Sequence, residues 1–147
     1  MSDTAPIRLW NPNAAACWSL FLTPAFGAYL HMRNWEAMND PKAAMLARRW
    51  FQASLAVLAM NLLLGMVFEE SRAIDAFLRL FGLAYLLTWY FSHGRVQVRH
   101  VQDVYGDDYV RQPWGRVFGY ALLGVLAYFG VAFIVGMLSA LYDSFRQ

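Results

Sequence analysis

Apolar residues fall along this chain in long segments, separated by short polar stretches rich in proline, asparagine and arginine. Four such segments cover about residues 14–32, 41–68, 73–105 and 116–142. The last is the longest purely apolar run and exceeds the roughly 20 residues needed to span a hydrocarbon core. Asn11, Pro12 and Asn13 make a natural helix entry to the first segment, and Thr23 and Pro24 fall near its middle. Proline removes a helical hydrogen bond there, so this segment either crosses with a kink or dips in and returns.

The second segment starts at Asn39 or Asp40 as cap, with Pro41 in the first turn, and runs as one helix to Phe68 with only Asn61 breaking its apolar core. A short turn, Glu69 to Arg72, leads into the third, where Asp75 and Arg79 stand four apart and can pair on one face, Arg79 snorkelling outward. Past His93 and Gly94, helical spacing continues through Val98, Val101, Val104 and Tyr105, and Gly106 is placed to end the helix. Asp107 and Asp108 open a turn that Pro113 and Trp114 close. The pattern predicts a single all-α integral membrane domain over residues 1–147, a compact bundle of about four transmembrane helices whose first is kinked or re-entrant.

Composition supports that class. Hydrophobic residues make up 59% of the chain and charged residues 15%, where an ordinary soluble domain has about a quarter charged. A domain of 147 residues buries too small a fraction of its surface to hide so much apolar area from water; lipid can cover it. The net charge of +2 is too small to argue for nucleic acid. Cys17 lies inside an apolar stretch and reads as a packing residue. The first residues lack the basic start and cleavage pattern of a signal peptide, so the first apolar run is expected to be kept.

Charge sets an orientation. Arg33, Lys42, Arg48 and Arg49 lie between segments one and two, and Arg95, Arg99, Arg111 and Arg116 between three and four, whereas the turn between two and three carries Glu69, Glu70 and Asp75 against Arg72 and Arg79. The positive-inside bias places both basic connections in the cytoplasm and the acidic turn outside. Trp35, Trp50, Trp89 and Trp114, with Tyr29 and Tyr90, fall at the same boundary, as an aromatic belt does. His31-Met-Arg33 and His93-Gly-Arg95 each precede a basic connection, a proline, a tryptophan and another helix, which allows two copies of one hairpin. Boundary chemistry alone accounts for the same echo.

Candidate chemistry is sparse. His93 and His100 are two helical turns apart and Asp103 lies three beyond, so these three are the candidates for a transition-metal site. Asp103, Asp107 and Asp108 offer carboxylates for Mg²⁺, although capping and a solvated turn explain them as well. No cofactor is expected. The intramembrane polar residues are Asn61, Asp75, Arg79 and Thr88, too few for a conduction pathway in one copy, and Asn61 is expected to bridge two helices by a hydrogen bond. Gly115, Gly119, Ala132, Gly136 and Ala140 put small residues four apart on the last helix, a stripe that lets another helix approach closely, from within the chain or from a partner. With Trp35, Trp50 and Trp114 these are the candidate interaction residues. No Gly-x-Ser-x-Gly elbow, His-Glu-x-x-His pair or phosphate-cradling loop is present in the sequence.

The run NPNAAACWSL from Asn11 to Leu20, then Phe26 to Leu30, Asn34 with Trp35, Tyr105 to Tyr109 and Arg111 to Trp114 resembles small multi-spanning inner-membrane proteins of proteobacteria. The resemblance touches about a third of the sequence and implies a bacterial inner-membrane setting without catalytic residues. Some proteins of that kind confer immunity against membrane-targeted toxins. The leading expectation is therefore a non-enzymatic membrane-embedded binding protein, with lipid as its surroundings and a membrane protein or a second copy as its partner through the fourth helix. Immunity is one concrete form of it. The alternatives are a small channel or carrier subunit acting as an oligomer, and a metal- or Mg²⁺-dependent membrane enzyme.

Overall fold

A computed structural model describes residues 6–68 and 71–146. Glu69 and Glu70, on which the expectation of an acidic turn facing outward rests, lie outside the described residues. Five helices carry the chain: α1 (Pro12–Trp18), α2 (Pro24–Ala37), α3 (Pro41–Val67), α4 (Arg72–Val104) and α5 (Gly115–Arg146). Two short strands, β1 (Arg8–Leu9) before α1 and β2 (Val110–Arg111) between α4 and α5, pair in parallel, Arg8 opposite Val110 and Leu9 opposite Arg111. Two helices, α4 and α5, are long and apolar enough to cross a membrane.

Local chemistry explains the boundaries. Asn11 caps α1 by accepting from the N–H groups of Asn13 and Ala14. Asn39 takes the left-handed conformation (φ 56°) that stops α2, while the Asp40 N–H closes back on the Trp35 carbonyl at 3.1 Å. Asp40 then caps α3 through the Ala43 N–H at 2.9 Å, and Pro41 occupies the first turn. Ser71 caps α4. At the far end of α4, Gly106 (φ 54°) receives the same kind of stop, its N–H reaching the Val101 carbonyl at 3.1 Å.

The first segment differs from a single kinked crossing. Pro24 does not bend one helix; the chain breaks over Ser19–Thr23 and returns, so α1 and α2 form a helical hairpin. Its two arms touch at matched levels, Trp10 beside Asn34, Pro12 beside His31 and Ala15 beside Gly27. Its tip presents Leu20 and Phe21, the latter 80% exposed. Because β1 pairs with β2, the start of this segment and the connection between α4 and α5 lie at one end of the molecule.

The hairpin is the centre of the fold. Leu30 and Phe26 pack with Ala15 and Val117 at the root of α5, Ala28 and Ala16 with Leu86 and Trp89 of α4, and Met32 and Trp35 with Ala44 and Ala47 of α3. Within α4, one wide turn at Tyr90–Gly94 inserts an extra residue into the helical repeat. The hydroxyls of Thr88 and Ser92 both bond to carbonyls one turn back, which weakens the regular ladder just there. The wide turn keeps Leu86, Trp89, His93, Gln97 and Val101 on the buried face over the length of the head. By contrast α5 leaves the hairpin core after Ala121, and none of its most apolar 18-residue window is buried.

Candidate functional site

Two arrangements in the structure hold polar groups in surroundings that enclose them. The first is a staple inside the head. Asn34 reads the backbone of Trp10 as a paired strand would: its Oδ1 accepts the Trp10 N–H at 2.9 Å and its Nδ2 donates to the Trp10 carbonyl at 2.8 Å. The same Nδ2 donates to Gln97 Oε1 at 3.2 Å, and Gln97 Nε2 donates to the His31 carbonyl at 2.7 Å. Asn34, His31 and Gln97 are all fully buried. Three remote stretches are thereby locked together by groups that satisfy one another, as buried polar groups must.

His31 closes the staple. Its Nε2 lies 3.1 Å from the Pro12 carbonyl, an acceptor without a proton, so Nε2 carries the hydrogen and Nδ1 of the neutral ring holds the lone pair. That Nδ1 is buried without a partner, as is Nε2 of His93, whose ring centre stands 6.5 Å away. The Trp89 ring covers His31 at 5.4 Å. α2 is not one of the two helices long enough to span, and burial pushes the His31 imidazole down to about 4, against the Pro12 carbonyl that raises it and with His93 adding to the lowering. The ring is therefore neutral at physiological pH.

The second arrangement is a cavity of about 360 Å³ at the tip of the hairpin. Ser19, Leu20, Leu22, Thr23 and Pro24 close it on one side, Ser54, Val57, Leu58 and Asn61 of α3 on another, and Gly82, Leu83, Tyr85 and Leu86 of α4 on the third. The Tyr85 hydroxyl lies 3.0 Å from Ser54 Oγ, and Ser54 also donates to the Trp50 carbonyl. Ser19 donates to the Ala15 carbonyl. Asn61 Oδ1 is shielded from solvent and has no hydrogen-bond partner. The interhelical hydrogen bond expected of Asn61 is thus not made by its carbonyl.

The residues singled out by sequence are dispersed over the molecule. Trp35 is buried in the chain's own core, 3% exposed, and its ring meets His100 at 4.9 Å; Trp50 and Trp114 are half-buried, against Tyr85 and Phe118. His93 and His100 thus have different neighbours, His31 for the one and Trp35 for the other. Asp103, Asp107 and Asp108 are exposed, Asp107 pairing with Arg111 at 3.5 Å. Among the described residues no three histidine, cysteine or carboxylate groups come together to hold a metal ion. Asp75 and Arg79 are both exposed on α4, and the ion pair expected between them is not among those formed by the described residues. Thr88 bonds back to Ala84. Among the described residues, and apart from the helix's own backbone, nothing lies within 4 Å of where a Cβ would stand at Gly115, Gly119 or Gly136, and Ala132 and Ala140 lie along the same helix.

The sequence pattern gives no functional role to His31, Asn34, Ser54, Tyr85 or Gln97, which the structure brings together in these two arrangements. A signal existed for Gln97, which falls on the same helical face as Val101 although its neighbours are Arg95 and Arg99. The two basic connections do meet: Asn34 with Gln97 and Trp35 with His100 bring residues 33–49 and 95–116 to one end, where nine of the 12 basic residues lie once Arg8 is included. Compared with family models, with characterised proteins and with solved structures, the chain matches none.

Proposed function

We propose that this chain is a membrane-embedded interaction protein, held by α3, α4 and α5 in the bilayer, whose last helix is offered to another membrane helix. One observation carries the reading. The most apolar 18-residue window of Gly115–Tyr142 has a mean hydropathy of 2.4 and none of that window is buried within the chain. Leu122, Leu126, Phe129, Phe133 and Leu138 are all more than half exposed, a patch that water tolerates poorly and lipid or a helix covers.

The occupant we assign to α5 is the same helix of a second copy. Small residues at Ala132, Gly136 and Ala140 lie on it with no neighbour from this chain at Gly136, and a stripe meeting its own copy about a two-fold axis is the simplest closed arrangement of identical helices. In the head, the Asn34 and Gln97 side chains and the Trp10 backbone satisfy one another, which gives that network a structural role. The basic end, with Arg8, Arg33, Arg48, Arg99 and Arg111, faces the cytoplasm in this reading. The re-entrant hairpin leaves the start of the chain on that side, and three crossings carry the end of α5 to the other.

Cross-linking tests it. In a Cys17→Ala background, Gly136→Cys in native membranes is expected to give a disulfide-linked dimer, and Tyr120→Cys, nearer the head, to give far less. Retention of the protein in carbonate-washed membranes and an exported reporter after Gln147 are the accompanying results. A monomer at every α5 position would remove the self-association, and release by carbonate would remove the membrane reading itself.

A further inference from the structure

We infer that the basic end of the molecule binds anionic phospholipid, with headgroup phosphates seated on the open faces of α3 and α4 at Lys42 and Arg49 and at Arg95 and Arg99. The inference rests on the membrane reading above but not on the self-association of α5. Charge balance, the neighbours of these cations and their place in the fold carry it.

This end holds more positive charge than the chain itself engages. Residues 33–49 and 95–116 contain eight basic side chains against five carboxylates. Arg33 and Arg48 share the Glu36 carboxylate at 2.8 and 3.2 Å, and Arg111 pairs with Asp107. The Asp40 carboxylate is taken up in capping α3. Lys42, Arg49, Arg95 and Arg99 are exposed and form no ion pair among the described residues, Arg99 not even with Asp103 one turn on. These cations are left to an anion from outside the chain.

Their surroundings select a lipid as that anion. On α3, Lys42, Leu46 and Arg49 follow one another at intervals of four and three and so share a face, with Met45 beside them; Met45 is 53% and Leu46 47% exposed. On α4, Arg95 and Arg99 are one turn apart, and Val96, 52% exposed, stands three before Arg99. A nucleic acid backbone neutralises the cations and leaves these apolar groups in water. An anionic phospholipid covers both, its phosphate on the cations and its glycerol and first methylenes on the apolar groups, the long basic stems reaching between the two levels.

The fold also brings both faces to one level. Within a single turn of α2, Met32 and Trp35 pack on Ala44 and Ala47 of α3, and Asn34 and Trp35 meet Gln97 and His100 of α4. Ala44, Ala47 and Gln97 are buried there, and the basic residues next to them on the same helices are exposed. In the membrane reading that level is the cytoplasmic headgroup layer.

Spin-labelled lipids test this on the full chain. The protein is reconstituted in phosphatidylcholine vesicles with a trace of spin-labelled phosphatidylglycerol or, in parallel, spin-labelled phosphatidylcholine, and the motionally restricted fraction of each is compared. One basic side chain at an anionic headgroup corresponds to about fivefold in binding. A preference of about that size for phosphatidylglycerol is expected at low salt, and its loss in about 1 M salt, where the screening length falls to roughly 3 Å. Lys42→Gln with Arg49→Gln, and Arg95→Gln with Arg99→Gln, are each expected to lower the preference, and all four together to abolish it; the side chains are exposed, so melting should stay that of the wild type. Arg72→Gln with Arg79→Gln removes equal charge from the opposite end of α4 and is expected to leave the preference in place. Equal restriction of the two lipids by the wild type, or the same loss in the Arg72 and Arg79 variant, overturns the proposal. Abolition of the preference by added RNA at equal phosphate marks a surface for a polyanion and overturns it too. Loss of the protein from carbonate-washed vesicles instead overturns the membrane reading, so the two failures are told apart.

Discussion

The head and the last helix are built from the same helical backbone and stabilised in opposite ways. In the head, Trp89, Leu30, His31, Asn34 and Gln97 are almost completely enclosed by their own chain, and the helices there depend on one another. In α5 Val117 at the root is buried, Phe118 stacks on Trp114 at 5.6 Å and on Phe26 at 6.0 Å and Ala121 packs on the same cluster, while Leu122, Leu126, Phe129 and Phe133 farther along are exposed. The head thus specifies its shape through polar complementarity and close packing. α5 specifies only a length and a surface. A substitution of one type should therefore produce unlike effects in the two regions, and that contrast is what experiments can break.

The sharpest break comes at Asn34. Replacing it by Leu strands both backbone groups of Trp10 and the Oε1 of Gln97, which Asn34 now satisfies. Each unsatisfied buried group costs about 1–3 kcal/mol, so a loss on the order of 4 kcal/mol is expected, read as thermal unfolding in detergent. Unfolding unchanged from the wild type would show that the staple is not what closes the head.

Next comes a pH dependence confined to the head. His31 has a folded-state value of about 4 against 6.5 when unfolded. The neutral ring is the form the fold accepts, so its contribution is complete above 6.5, is lost as pH falls through the interval from 6.5 to about 4, and falls no further below that. At about 1.4 kcal/mol per unit, the loss is on the order of 3 kcal/mol between pH 7 and pH 4. His31→Gln keeps a donor for the Pro12 carbonyl and cannot titrate; its stability should start lower and vary less across that interval. An equal slope in both proteins would assign the acid sensitivity elsewhere.

Gly27 follows, with an effect of packing alone. A methyl group there would overlap Ser19 Oγ and lie 2.6 Å from the Trp89 ring, so Gly27→Ala forces the two arms of the hairpin apart. Overpacking of this kind costs roughly 1–3 kcal/mol. Gly130→Ala on α5, where nothing lies within 4 Å, is expected to be neutral or slightly stabilising through helix propensity. A similar loss at both positions would erase the distinction between the regions.

The same contrast explains what the sequence reveals and what it conceals. Long elements are legible because length and apolarity suffice: the segments expected at 41–68, 73–105 and 116–142 correspond to α3, α4 and α5 within a few residues. Stops and starts are legible too, since Asp40, Pro41 and Gly106 act locally. The hairpin was left open between two outcomes because Pro24 permits a kink as readily as a break; the choice is made by Asn34 and Gln97, 63 positions apart. The cavity is hidden for a similar reason. Asn61 is conspicuous as a polar residue in an apolar run, but that it lines a cavity with Tyr85 and Gly82, its carbonyl oxygen enclosed without a partner, depends on where the hairpin tip stops.

The smallest expected change in stability belongs to Gly136→Leu, and for that reason it separates the two regions most cleanly. Apart from the helix's own backbone, no atom of the described residues lies within 4 Å of where a Cβ would stand at Gly136, and leucine is a better helix former than glycine by about 0.5–1 kcal/mol. Unfolding of the solubilised monomer should be unchanged or slightly later. A helix packed against Gly136 in a second copy, however, has its closest approach there, and a leucine holds the two backbones apart. Cross-linking between copies through a reporter cysteine at Ala140 should fall sharply in the Gly136→Leu protein while its melting curve does not move. If the cross-link persists at full strength, the small residues of α5 face lipid, and contact between copies, where it occurs, is made by another face of the helix.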